Sequence, residues 1–224
     1  MSDPVERPGR PGIPWLLAVV AIVLVGALAF AIGRFSTFGL LSEATGATAG
    51  PNAADAGFAR DMQVHHSQAV EMAMIEYRST ADEELRVLAY DIATAQAGQR
   101  GEMYGWLVGW GLPQSGDPLM SWMSGTGHDH GAGAEATTAE LEAAMGMADD
   151  DEMARLQEAS GTTQDCLFLD LMIRHHAGAI EMTDAVVELG SDPRVIDTAR
   201  HMGQNQTAEI AAMQDIQERL GCSA

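Results

Sequence analysis

Two eleven-residue stretches carry the residues whose types and spacing could do chemistry. Met62-Gln-Val-His65-His66-Ser-Gln-Ala-Val-Glu71-Met72 and Met172-Ile-Arg-His175-His176-Ala-Gly-Ala-Ile-Glu181-Met182 both fit M-x-x-H-H-x-x-A-[VI]-E-M, offset by 110 positions. The same offset relates Asp55 to Asp165, Phe58 to Phe168, Asp82 to Asp192, Ala89 to Ala199, Gln96 to Gln206 and Met103 to Met213. About 50 residues are therefore repeated without a gap, long enough in each copy for a helical hairpin. Thioether sulfur and imidazole nitrogen are neutral donors, and together they suit Cu(I). A thioether needs no deprotonation and cannot be consumed by disulfide formation. An imidazole competes with protons, near ~6.5 when unperturbed.

At 100° per residue, Phe58, Met62, His65, Ala69 and Met72 fall on one helical stripe, with His66 at its flank and Glu71 opposite. That predicts an ion held by Met62, His65 and Met72 and completed by Met103 from the next helix. His66 would either ligate or support a neighbour through a hydrogen bond. Met172, His175, His176, Met182 and Met213 give the same set in the second copy. The opposing reading has buried histidines bonded inside a bundle while methionine fills space. A lone histidine on an apolar face suits that reading. Two His-His pairs in register, each flanked by Met on both sides, argue for metal. A further candidate is a loop containing His128-Asp-His130, with Met145 and Met147 after it. Such a loop is either a loose chelating arm for Cu(II) or Zn, or simply solvated.

A di-iron oxidase needs bridging carboxylates and Glu-x-x-His on facing helices. Neither His pair has a Glu three residues before it, and Glu71 and Glu181 fall on the outward side. There is no nucleophile elbow, P-loop or dinucleotide fingerprint either. The expected function is metal binding rather than catalysis; the alternative is a structural or interaction bundle at the cell surface with no metal in use.

The elements that must position these residues read as helices throughout, since no stretch alternates with period two beside turn signals. Residues 55–112 form a first hairpin, turned at Ser79-Thr-Ala-Asp82 with Asp82 as N-cap. Its second helix carries Ile92, Gln96, Gln99, Met103 and Trp106 on one stripe and ends at Gly109, Gly111 and Pro113. Residues 113–164 make a long crossover rich in Gly, Ser, Asp and Met, with a short helix near 150–159. Residues 165–222 form the second hairpin, restarted at Asp192-Pro193, with Met202, Gln206, Glu209, Met213 and Ile216 on its last stripe. Two hairpins joined by one long crossover predict an all-α, ferritin-like four-helix bundle.

Before the bundle, Trp15–Ile32 is almost wholly apolar and the run from Pro11 to Gly33 carries no charge. Residues 13–33 are long enough to cross a ~30 Å hydrocarbon core. Arg7 and Arg10 before the run, against Arg34 after it, orient residues 1–12 to the cytoplasm. A cleaved signal peptide is the competing reading, because Ala27-Leu-Ala29 resembles a cleavage box. Both place the rest outside the cytoplasm, with 34–54 as a flexible tether. Net charge is −20, with 12 basic against 32 acidic residues. That excludes a nucleic-acid partner, which requires a basic face.

The doubled M-x-x-H-H-x-x-A-[IV]-E-M, with Q-x-x-[EQ]-x-x-x-M in the following helix, resembles the bacterial domain of unknown function 305 (DUF305). Met145-Gly-Met147 and Asp151-Glu-Met153-Ala-Arg-Leu156 resemble the family's approach to its second motif. The resemblance covers about residues 55–220. It implies a ferritin-like bundle and, through the family's extracytoplasmic CopM-like members, copper binding. Carried over by position, it implicates Met62, His65, His66, Met72, Met172, His175, His176 and Met182, with Met103 and Met213 from the partner helices. A copper-handling protein or a second copy of the chain is the partner it suggests. The first hairpin departs from the pattern, with Gln99-Arg100 where the second has Glu209-Ile210, so the halves are expected to differ in charge and affinity.

Cys166 and Cys222 stand about 25 and 31 residues from the turn near Ser191, so an antiparallel hairpin sets them side by side. In an oxidising compartment they are expected to be bridged. A free thiolate pair helping to hold Cu(I) is the alternative.

Overall fold

A computed structural model describes residues 50–123 and 136–222. The expected cytoplasmic segment and anchor, most of the tether, and the loop histidines His128 and His130 lie outside the described residues. Among the described residues no helix is long and apolar enough to cross a membrane, and all regular structure is helical.

Helix α1 (Ala53–Ser79) opens on a capping box in which Asn52 and Asp55 satisfy each other's backbone N–H groups. Helix α2 (Glu83–Trp110) starts where the Asp82 carboxylate accepts from Leu85 N, and stops at Gly111 in the left-handed region, φ 69°. In the second hairpin the first helix starts at Gly161 without a side-chain cap, and the second repeats the Asp cap and glycine stop. Helix α5 (Thr162–Leu189) is followed by α6 (Pro193–Leu220), which has Asp192 as cap, Pro193 in the first turn and left-handed Gly221 at the end. The crossover is more ordered than its composition predicts. It holds a 3-10 turn (Ser121–Met123), α3 (Thr138–Ala144) and α4 (Asp150–Glu158). Capping boxes at Thr137/Glu140 and Asp149/Glu152 start both short helices.

Helices α1 and α5 touch along the middle of the bundle and run antiparallel. Near one end the Asp55 carboxylate accepts from Ser191 N (3.1 Å), Ser191 Oγ (2.9 Å) and Asp192 N (3.1 Å). In the middle the His65 and His175 rings stack with centroids 3.6 Å apart. At the far end Glu76 is buried beside Asp165, and that burial, with the neighbouring carboxyl, lifts Glu76 to about 8. The repeat therefore folds with approximate two-fold symmetry about the stacked imidazoles.

The core divides across this centre into two clusters. One gathers Met62, Met103, Met182 and Met202 with Met120, Met123, Met145 and Met147 of the crossover. The other gathers Met72, Met172 and Met213 with Leu85, Ile92, Leu156, Phe168 and Leu169. At this second end Cys166 and Cys222 form a disulfide with Cα atoms 5.5 Å apart. There too Arg219 grips Asp82 at 2.6 and 2.9 Å, and that guanidinium holds the Asp82 carboxyl down to about 2.

Candidate metal centre

All four motif histidines are fully buried. An imidazole sequestered this way is costly to protonate. Burial is the main reason that His65 and His66 are each pulled down to about 3 and that His175 lies well below the usual imidazole range. Proton competition with these rings therefore falls at far lower pH than the unperturbed ~6.5 suggests.

Hydrogen bonds orient three of the four rings. His66 Nε2 lies 2.7 Å from Gln99 Oε1, His176 Nε2 lies 2.7 Å from Glu209 Oε2, and His65 Nε2 lies 3.0 Å from the Met145 carbonyl. Each partner atom is an acceptor, so each Nε2 carries the proton and donates it. In the neutral ring that leaves Nδ1 with a bare lone pair. The Nδ1 atoms of His65, His66 and His176 are buried with no hydrogen-bond partner, as are both ring nitrogens of His175. The buried side-chain amides of Gln96 and Gln206 are likewise unpartnered. Buried polar atoms are nearly always satisfied, so such a concentration of unpartnered donors and acceptors marks a place built for something else to bind.

The methionines group differently from the per-hairpin sets expected from periodicity. Met62 and Met72 are ten residues apart, about 15 Å along the helix, and lie in different clusters. Instead Met62 and Met103 of the first hairpin share a cluster with Met182 of the second, and Met172 and Met213 share one with Met72. Each grouping is two sulfurs from one repeat and one from the other, because α1 and α5 are antiparallel. The four histidines lie at the level between the two groupings. Of the loop candidates, Met145 and Met147 are buried with the first grouping.

The crossover closes over the histidines. Gln68 clamps it by donating to Ala148 O and accepting from Ala148 N, both at 2.8 Å. At the equivalent position of the second repeat stands Gly178, where a Cβ would come 1.9 Å from Met145 O. Gly146, at φ 74°, makes the turn that brings the chain this close. Periodicity could not find these positions, since their task is contact with a non-repeated segment. The signals were a glycine inside a helix and the Met145-Gly-Met147 turn.

Among the described residues no three His, Cys, Asp or Glu side chains are grouped to hold a metal. Glu71 is exposed. The donors available are imidazole Nδ1 atoms with thioether sulfurs on either side, a soft, neutral set that fits Cu(I) or Ag(I) better than a hard cation.

Residues 55–217 match the family model described as domain of unknown function (DUF305). A comparison with the curated proteins finds no match. Among solved structures, a DUF305 protein of Streptomyces coelicolor, described as a candidate secreted protein, is 43% identical with TM-score 0.66. That match covers 76% of this chain and 95% of the other. A DUF305 fragment from Deinococcus radiodurans is 29% identical with TM-score 0.62, over 75% and 97% of the two chains. CopM in its Cu(II)-bound form is 25% identical with TM-score 0.56, over 74% and 96%.

Proposed function

The chain belongs to the DUF305 family, and from that premise we propose that it is an extracytoplasmic copper-binding protein that sequesters or hands on Cu(I) rather than catalysing a reaction. One observation carries the reading. Three buried imidazoles present an Nδ1 lone pair fixed by an acceptor on Nε2, and buried methionines lie above and below them. His66 Nδ1 and His176 Nδ1 are the main nitrogen donors, with His65 and His175 between them. Met62, Met103 and Met182 supply sulfur to one side, and Met72, Met172 and Met213 to the other. Copper bound to CopM supports this family-level chemistry. Placement outside the cytoplasm is supported by the disulfide and by the apolar run before the domain. Residues 13–33 serve as a single-pass anchor.

The test is metal analysis of the full-length protein under Cu(I) competition with a chelator of known affinity. Wild type retains copper in preference to Zn(II), and the double variant His66→Ala/His176→Ala loses at least one bound ion. Unchanged copper stoichiometry in that variant would remove the assignment and leave a metal-free interaction bundle.

A further inference from the structure

The two outer histidines are held at the same 2.7 Å by side chains that differ in charge. His176 donates to the Glu209 carboxylate, and His66 donates to the Gln99 amide. The next residue widens the contrast. Arg100 follows Gln99 and lies close enough to His66 to oppose positive charge on that ring, with its Nε buried and unpartnered. The position equivalent to Arg100 is Ile210. At these two positions one half thus carries a carboxylate and an isoleucine, and the other an amide and a guanidinium, around imidazoles that are otherwise matched in burial and in the bond to Nε2.

A carboxylate behind an imidazole does two things. It makes the far nitrogen a stronger donor, and it adds a negative charge whose attraction for a dication is twice that for a monocation at the same distance. Little water intervenes, since the His176 ring is fully buried and Glu209 is only 23% exposed. Resting on the copper-binding reading above, we infer that Glu209 is a positioning residue that sets charge preference. The His176 half accepts Cu(II) as well as Cu(I), whereas the His66 half, with Gln99 and Arg100, is restricted to monovalent copper. The protein then holds one ion in either oxidation state and the other only when reduced.

The experiment titrates the full-length protein separately with Cu(II) and Cu(I) against chelators of known affinity and records the electron paramagnetic resonance spectrum of the Cu(II) form. Wild type is expected to give one nitrogen-coordinated Cu(II) signal. Glu209→Gln should weaken Cu(II) binding by about tenfold or more while moving Cu(I) affinity much less, and Glu209→Asp should restore the Cu(II) signal. Gln99→Glu/Arg100→Ile, which copies Glu209-Ile210 of the second repeat, should add a second Cu(II) equivalent with a similar spectrum. Equal losses for both oxidation states in Glu209→Gln, unchanged Cu(II) affinity there, or no gain in Gln99→Glu/Arg100→Ile would each overturn the inference while leaving copper binding intact. A wild-type protein that binds no copper in either state would overturn the underlying reading and this inference with it.

Discussion

At one end of the bundle Met62, Met103 and Met182 lie among five further methionines. At the other, Met72, Met172 and Met213 lie among Leu85, Ile92, Leu156, Phe168 and Leu169. The repeat delivers the same three sulfurs to each end, so the difference comes from outside the symmetric pattern. Met202 stands where the first hairpin has Ile92, and the crossover brings Met120, Met123, Met145 and Met147 to one end alone. Unbranched methionine packs adaptably, whereas Leu, Ile and Phe set a fixed shape. The apolar end is also the one that is covalently stapled. A duplicated His-Met motif has thus been placed between a soft end and a stiff one.

The sharpest way to break that contrast is to remove the staple. The Cys166→Ser/Cys222→Ser variant should lose on the order of 4 kcal/mol, because the bridge closes a loop of 56 residues. Urea unfolding measures the loss. Hydrogen exchange should quicken first near Phe168 and Met213, and uniform quickening would contradict a division into two ends.

Next in size is Gly178→Ala. Its Cβ would collide with the Met145 carbonyl, a backbone atom that cannot swing away, so destabilisation of about 3 kcal/mol is expected. The same displacement should free His65 Nε2, and a changed His65 imidazole resonance would report it. A variant as stable as wild type would show that the crossover does not bear on the helices.

The third prediction concerns alkaline pH. Glu76 stands where the second repeat has Val186, and burial against Asp165 raises its carboxyl from 4.5 to about 8. Its folded form binds a proton more tightly than its unfolded form. That contribution is complete below the unfolded value and is lost as pH rises through the folded one. Between pH 6 and 9 wild type should lose on the order of 2 kcal/mol more than Glu76→Gln, seen as a steeper fall in Tm. Parallel pH profiles would remove Glu76 from the account.

The smallest stability effect per site comes from two triple variants. Met→Leu at 62, 103 and 182, or at 72, 172 and 213, should cost under about 1.5 kcal/mol per site. Cu(I) stoichiometry should fall further in the second triple, because five buried methionines remain at the first end, whereas only the partly buried Met74 and Met153 remain against the second. Equal losses would mean that the crossover sulfurs do not bind copper.

Much of this molecule could be read from local signals. Asp82 and Asp192 each accept a backbone hydrogen bond at a helix start, and Gly111 closes α2 in the left-handed region. Each depends only on residues within a turn of chain. The stripe holding Phe58, Met62, His65, Ala69 and Met72 is fully buried. Periodicity gives the face of a helix but not which helix lies opposite at each level, so it could not pair Met62 with Met182. It also placed His66 at the flank, whereas packing buries it completely. The crossover was least legible. Its course depends on Gln68, Gly178 and the Asp61 carboxylate, which accepts from Met120 N at 2.7 Å and Trp122 Nε1 at 2.9 Å. The Gln68 and Asp61 contacts are 59 or more residues apart in sequence, and Gly178 meets Met145 across 33.

The complete burial of the histidines has a kinetic consequence. An ion cannot diffuse onto Nδ1 atoms that no solvent reaches, so its entry and departure wait for the structure to open. The crossover lies over His65, held by the two Gln68–Ala148 hydrogen bonds and by Met145 O on His65 Nε2. If the chain binds copper as proposed, loading would proceed at the frequency with which those bonds break, independent of copper concentration once copper is abundant. Such a site would hold an ion longer than its equilibrium affinity alone suggests.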